Sequence, residues 1–165
     1  MKDIICLDIQ SLINKNIDVS NIIYDINLLM EKDYPKYRDW FNNKLIPGLN
    51  NGSRNMIVMY KKNKIIGYVN LKKTTKERKM SNLNINSLFY YNQCWNILVD
   101  EAIKWLDDED PIIIISDKEF NKCSNLIYKR NWHLSDKSKH SVYIINRYDE
   151  FESFKTYFKK RRIQY

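Results

Sequence analysis

Apolar positions recur along this chain with two different periods, and the change of period marks its elements. From Met56 to Tyr60 they form a short unbroken run, read as a strand. Lys61–Lys64 turns, and Ile65 to Leu71 returns as the hairpin partner. Met80 to Leu88 is the next strand, and its alternation is strict: Leu83 and Ile85 point one way, Asn82, Asn84 and Asn86 the other. Asparagine is a poor strand former, so three in a row read either as a solvated face or as the polar wall of a cleft. At Tyr91 the period becomes helical. Trp95, Leu98, Val99, Ala102, Trp105 and Leu106 make one broad apolar stripe, which predicts a helix over Tyr91–Leu106.

The flanks follow the same rules. Residues 3–9 alternate weakly, as a first strand would. Residues 20–33 place Ile22, Ile26, Leu29 and Met30 on one helical face, with Asp18 or Ser20 as N-cap. Pro35 opens a second helix carrying Tyr37, Phe41 and Leu45, which Pro47-Gly48 is expected to stop. Asn50 to Ser53 reads as a loop, Lys72 to Arg78 as a basic connection, and Asp107 to Pro111 as an acidic turn. Pro111 to Ile115 is a central strand buried on both faces, and Asp117 to Arg130 a helix with Phe120, Cys123 and Ile127 inward. Trp132–Leu134 and Val142–Ile145 read as closing strands, joined by a polar turn over Ser135–Ser141. Residues 149–165 read as a terminal helix with Phe151, Phe154 and Phe158 on one face and a basic end.

This order predicts an α+β domain whose mostly antiparallel sheet contains one parallel β-α-β step. A ligand belongs where those two parallel strands separate, near the N-terminus of the helix that follows. That places the strand-to-helix junction Phe89–Trp95 at the centre of interest, because a helix N-terminus offers free N–H groups to a phosphate. No glycine lies in it.

Composition narrows the classes. The 165 residues suit one domain with its own core. No apolar run is long enough to span a bilayer, and the N-terminus lacks the pattern of a signal peptide. Cys6, Cys94 and Cys123 are scattered and odd in number, which points to a reducing cytoplasm without a disulfide framework. No cluster has metal-ligand spacing, and His133 and His140 stand apart. The net charge of +8 favours acidic partners such as nucleic acid. The bland alternative is a coding bias, since the chain is rich in Lys, Asn, Ile and Tyr.

Four segments together resemble the GNAT (GCN5-related) N-acetyltransferase superfamily, over roughly residues 35 to 150. Lys64–Leu71 is similar to its second hairpin strand, with Gly67 after two apolar residues. Lys79–Ile85 resembles its fourth strand. Asn121–Trp132 resembles the recurring Asn-x-x-Ala-x-x-x-Tyr-x-x-Gly-Phe segment. Trp40–Leu49 with Arg54 resembles a bacterial and phage branch. The resemblance implies a mixed sheet with helices on both faces, acetyl-CoA as cofactor, no metal, and acetyl transfer to an amine of a protein, a small molecule or RNA. It implies that the pantetheine arm lies along Asn84, Ile85, Asn86 and Ser87. The pyrophosphate would lie over Tyr90, Tyr91, Asn92, Gln93, Cys94 and Trp95, with Asn121 a further contact. Tyr128 matches the tyrosine that protonates the departing thiolate, and Glu77 is the nearest carboxylate for a general base.

Three positions depart from the family pattern: Tyr90, Gln93 and Trp95 stand where Arg or Gln, Gly, and Gly or Ala recur. An indole at Trp95, pointing at the phosphates, would displace them. Hence a second expectation, a GNAT-derived binding module whose aromatic residues fill the vacated phosphate site and cover a protein partner. A third is a nucleic-acid or charged-tRNA partner, resting on Lys72–Lys79 and the basic tail Lys155–Arg162. No membrane is expected, and the chain is expected to be a monomer or homodimer.

Overall fold

The computed structural model describes residues 3–32, 37–87, 89–137 and 142–145. The predicted terminal helix at 149–165, and Pro35 and Leu88, lie outside these residues. The elements are β1 (Ile4–Asp8), α1 (Ile9–Asn14), α2 (Ser20–Glu31), α3 (Tyr37–Trp40), a π-helical turn (Phe41–Leu45), α4 (Ile46–Asn51), β2 (Arg54–Lys61), β3 (Lys64–Lys73), β4 (Arg78–Ile85), α5 (Tyr91–Leu106), β5 (Ile112–Ile115), α6 (Asp117–Lys129), β6 (His133–Lys137) and β7 (Val142–Ile145). They form the α+β arrangement expected. A seven-stranded sheet runs β1-β2-β3-β4-β5-β7-β6. Only the β4–β5 pair is parallel; the others are antiparallel.

Helices cover both faces. Met59, Val69, Leu71, Leu83 and Ile85 meet α5 and α6 in one core. Met56, Val58 and Tyr68 meet α1, α2 and the α3–α4 stretch in the other. Gly67 fixes how closely α5 approaches. A Cβ there would stand 3.1 Å from Leu98 Cδ1 and 3.2 Å from the Asn84 carbonyl oxygen, so helix and strand meet over bare backbone.

Three local predictions are corrected. Pro47-Gly48 does not end a helix. The π-helical turn resets the hydrogen-bond register, so Pro47 falls in the first turn of α4, where its missing N–H costs nothing. The stop comes at Gly52, which adopts the left-handed conformation (φ 78°). Ser135–Lys137, expected in a turn, belong to β6, and Ile9–Asn14 form a helix that the weak alternation at 3–9 concealed. Its N-cap is Asp8, whose side chain accepts from the Ser11 N–H at 2.8 Å.

β4 departs from simple alternation at one place. Tyr68 lies opposite Asn84 and Asn70 opposite Ser81, so β4 uses one residue more than β3 over this stretch. The extra residue is accommodated at Asn82, in the left-handed region (φ 52°) that asparagine tolerates better than most residues. The bulge is why Met80 and Leu83, an odd spacing apart, both reach the α5 side.

Gly67→Ala is expected to lower stability by about 1–3 kcal/mol, the usual cost of overpacking a fitted contact. Urea unfolding measures it; adding Leu98→Ala, which opens space for the new methyl, should cost less than the sum of the two single changes.

Candidate functional site

Past the bulge, β4 and β5 part. Their register comprises Lys79 with Ile112, Met80 with Ile113 and Ser81 with Ile114, yet β4 continues to Ile85. The Asn86 N–H donates to the Ile66 carbonyl at 2.8 Å. In an antiparallel pair the polar groups alternate sides, so the N–H and C=O of Ile85 turn away from β3 and face the opening. Asn84 is half-buried beside it, Asn86 exposed and Ser87 half-buried. Among the described residues, no strand pairs with β4 at Ile85 on the side of the parting.

α5 starts at the same end of the sheet. Tyr90 is its N-cap residue, and no side chain caps the helix. The first N–H groups of the helix belong to Tyr91, Asn92 and Gln93; the Cys94 N–H is already bonded to the Tyr90 carbonyl at 2.9 Å. The predicted phosphate-contact residues divide into two sets. Tyr91, Cys94 and Trp95 are buried on the inner face of the helix, whereas Tyr90, Asn92 and Gln93 remain at least partly accessible.

Trp95 does not face the junction. It is 1% exposed, and its ring meets Trp132 edge to face with centroids 6.3 Å apart. Arg130 lies over both rings, at 5.4 and 5.6 Å, and its guanidinium bonds Asp100 at 2.6 Å. The expected obstruction of the phosphate position by this indole is thereby overturned: helical phase turns residue 95 inward together with Leu98, Val99 and Ala102. Tyr91 is likewise inward. Its hydroxyl donates to Glu119 Oε1 at 2.5 Å, and Glu119 also pairs with Lys122 at 3.3 Å. Burial and that hydrogen bond push the Tyr91 phenol far above its ordinary value. Burial raises the Cys94 thiol as well, so it does not form a thiolate nucleophile.

A cation that the sequence did not single out completes this corner. Lys61, the last residue of β2, holds its Nζ 3.8 Å from the centroid of the Tyr90 ring. Lys62 and Asn63 both adopt left-handed conformations (φ 48° and 61°), forming the tight hairpin turn that brings Lys61 there. Only the local run of lysines hinted at it.

The other predicted residues are spread out. Tyr128 is 51% exposed near the C-terminal end of α6, one helical face along from exposed Asn121. Asn131 takes the left-handed conformation (φ 59°) where the family segment has glycine, and Trp132 is buried where it has phenylalanine. Glu77 is not brought to the junction. It precedes β4, and Ile85 lies eight residues further along, roughly 25 Å for extended chain. Its buried carboxylate is held by Lys72 and by Lys79 at 3.6 Å. The basic connection is largely engaged within the protein: Lys73 donates to the Trp105 carbonyl at 3.3 Å and Arg78 to the Thr74 carbonyl at 2.8 Å. Among the described residues no group of side chains could hold a metal, and no helix is long and apolar enough to cross a membrane.

The sequence matches no protein-family model and no curated protein. Solved structures share its architecture. N-acetyltransferase PseH from Campylobacter jejuni superposes with a TM-score of 0.55 at 15% identity, covering 86% of this chain and 96% of that one. PaiA N-acetyltransferase from Thermoplasma acidophilum, solved with coenzyme A, gives 0.54 at 14%, covering 88% and 99%. Spermidine N-acetyltransferase from Vibrio cholerae, a dodecamer, gives 0.59 at 11%, covering 88% and 93%. The fold is that of the GNAT N-acetyltransferases. Identities this low show the fold alone and leave the activity to the residues themselves.

Two measurements follow. Trp95→Gly, which places there the residue of the pattern this segment resembles, is expected to cost at least about 3–5 kcal/mol in urea unfolding through the cavity it leaves against Trp132, without any gain in acetyl-CoA affinity. An increased affinity would mean that the indole faces the phosphates after all. Stability should also fall at high pH. Burial, then the Glu119 charge, push Cys123 from 9.0 to about 12. Between those values the unfolded thiol loses its proton while the folded one keeps it, so stability drops by about 1.4 kcal/mol per pH unit. Tyr91 acts in the same direction above its own ordinary value. Burial likewise pushes Cys6 up to about 12, so Cys123→Ala should lower the slope between pH 9 and 10 in urea melts, where Tyr91 contributes least, and leave the part that Cys6 supplies.

Proposed function

We propose that this chain is an acetyl-CoA-dependent N-acetyltransferase acting on an amine. The observation that carries this reading is the junction itself. A β4 backbone edge that no described strand pairs at Ile85 opens beside a helix N-terminus without a side-chain cap, and Trp95, the residue expected to obstruct it, is packed in the core. The groups present fit the cofactor. The backbone of Leu83–Ile85 would hold the amide-bearing arm by β-type hydrogen bonds. The N–H groups of Tyr91, Asn92 and Gln93 would meet the phosphates, with Lys61 supplying the positive charge that the family draws from the loop. Bound there, acetyl-CoA supplies an activated thioester.

The chain's own groups then have defined work. Backbone N–H groups at the parting would hold the carbonyl oxygen as it gains charge. The amine nitrogen would bond to the carbonyl carbon as the carbon–sulfur bond breaks. Tyr128 would return a proton to the sulfur, its exposed hydroxyl exchanging with water. With Glu77 engaged by two lysines at the other end of β4, the ammonium of the acceptor would lose its proton to water.

One observation favours a second reading, a GNAT-fold binding module. Phe89 is 96% exposed immediately before α5. A ring so placed suits a partner surface.

Titration with acetyl-CoA separates the two. Cofactor binding should raise Tm, by about 2.7 kcal/mol of stabilisation at a hundredfold excess over Kd. Lys61→Ala should weaken binding about three- to tenfold with the fold unchanged, and Tyr128→Phe should bind normally but turn over more slowly. No thermal shift at millimolar acetyl-CoA would sink the enzyme reading, and a co-purifying protein released by Phe89→Ser would support the second.

A further inference from the structure

The end of the sheet opposite the α5 N-terminus carries a second concavity. It is an open cleft of about 490 Å³, within the range of small-molecule sites. Gln10, Asn14, Asn50, Asn51, Lys73 and Trp105 line it, with Gly52. Three helices, α1, α4 and α5, end around it. Nothing in the proposed acetyl transfer uses it.

Its chemistry is selective. Four lining residues are carboxamides and none is a carboxylate. The Gln10 side chain is held in one orientation. Its Nε2 donates to the Leu49 carbonyl at 2.9 Å, and its backbone N–H donates to Asn55 Oδ1 at 2.8 Å. Gln10 Oε1 is consequently fixed as an acceptor, is buried, and has no hydrogen-bond partner. Asn51 Oδ1 is occupied by the Ser53 N–H at 3.0 Å, which leaves its amide hydrogens as donors. The lysine is already engaged, its Nζ bonded to the Trp105 carbonyl at 3.3 Å. An anion would find one committed cation. A free ammonium would find no carboxylate to offset its desolvation. What the lining offers is neutral donors and acceptors in mixed order, with an indole beside them.

We propose that this cleft binds a neutral polyhydroxylated small molecule, a sugar or polyol, its hydroxyls meeting the exposed carboxamides of Asn14, Asn50 and Asn51. Each carboxamide can donate and accept at once, as a hydroxyl does, and the half-buried Trp105 indole borders them with the Lys73 ammonium 6.0 Å from its ring centroid. The site is independent of the acyl-CoA junction and stands or falls separately from it.

The test is NMR on the whole, uniformly ¹⁵N-labelled chain without acetyl-CoA. The probes are glucose and trehalose, with spermidine and inorganic phosphate as charged controls, all at millimolar concentration. A neutral probe should shift the Trp105 indole and Gln10 side-chain resonances saturably, with the charged probes silent. Asn50→Ala, at an exposed position, should leave the spectrum folded and weaken binding about fivefold, the loss of one hydrogen bond. Asn14→Ala, also at an exposed position, should weaken binding likewise. The proposal is overturned if no neutral probe gives a saturable shift. It is overturned equally if spermidine or phosphate moves the same resonances at lower concentration, or if both variants bind as the parent does.

Discussion

The bulge at Asn82 is the constraint on which the rest of the structure depends. One extra residue in β4 lets Met80 and Leu83 pack on the same side, under α5, although they are an odd number of positions apart. It also falls where pairing with β5 ends, at Ser81. A straight β4 would have to choose between continuing the parallel ladder and keeping its apolar residues inward. With the bulge, the strand keeps its core contacts and releases its outer backbone edge. The opening between the strands is thus produced by the same residue that keeps the core closed.

α5 answers to this frame. It crosses β3 where Gly67 offers no side chain, which brings Leu98 within contact of bare strand. Its inner face carries Tyr91, Cys94, Trp95 and Leu98 without a break, so aromatic bulk near the helix start belongs to the core. The Tyr91–Glu119 bond ties the first turn of α5 to the first turn of α6. Ser116 and Glu119 have the spacing of a capping box, and the Ser116 hydroxyl does accept from the Glu119 N–H. The carboxylate, however, has been diverted to the phenol, a bond that spans 28 positions of sequence.

Much of this was legible from residue pattern. The stripe from Trp95 to Leu106 defined α5 at both ends, and the Ile112–Ile115 run defined β5, because long periodic segments carry their own signal. The fold followed from the order of such segments. What escaped was set by a single hydrogen bond or dihedral angle. The π-helical turn before Pro47 and the bulge at Asn82 each shift the phase of an element by one residue, and periodicity averages over that. The candidate site suffered most from this. Trp95 was read against a motif, by position, when helical phase had already assigned it to the core beside its neighbours. Lys61 was invisible because its part in the corner arises from a tight turn that folds β2 back on β3. The parting of the strands and its place beside α5 were, by contrast, readable from topology alone.

The pairing of Trp95 with Trp132 has a consequence for how this sequence can change over time. Each indole fills space that a smaller residue at the other position would leave empty, and Arg130 lies over both. A glycine at residue 95 alone would open a hole, and it becomes tolerable only after residue 132 and its surroundings have changed. The pair is simple to keep and difficult to change one residue at a time. Exposed Asn86 and Phe89, just ahead of α5, fill no such space, so they can change while the helix behind them cannot.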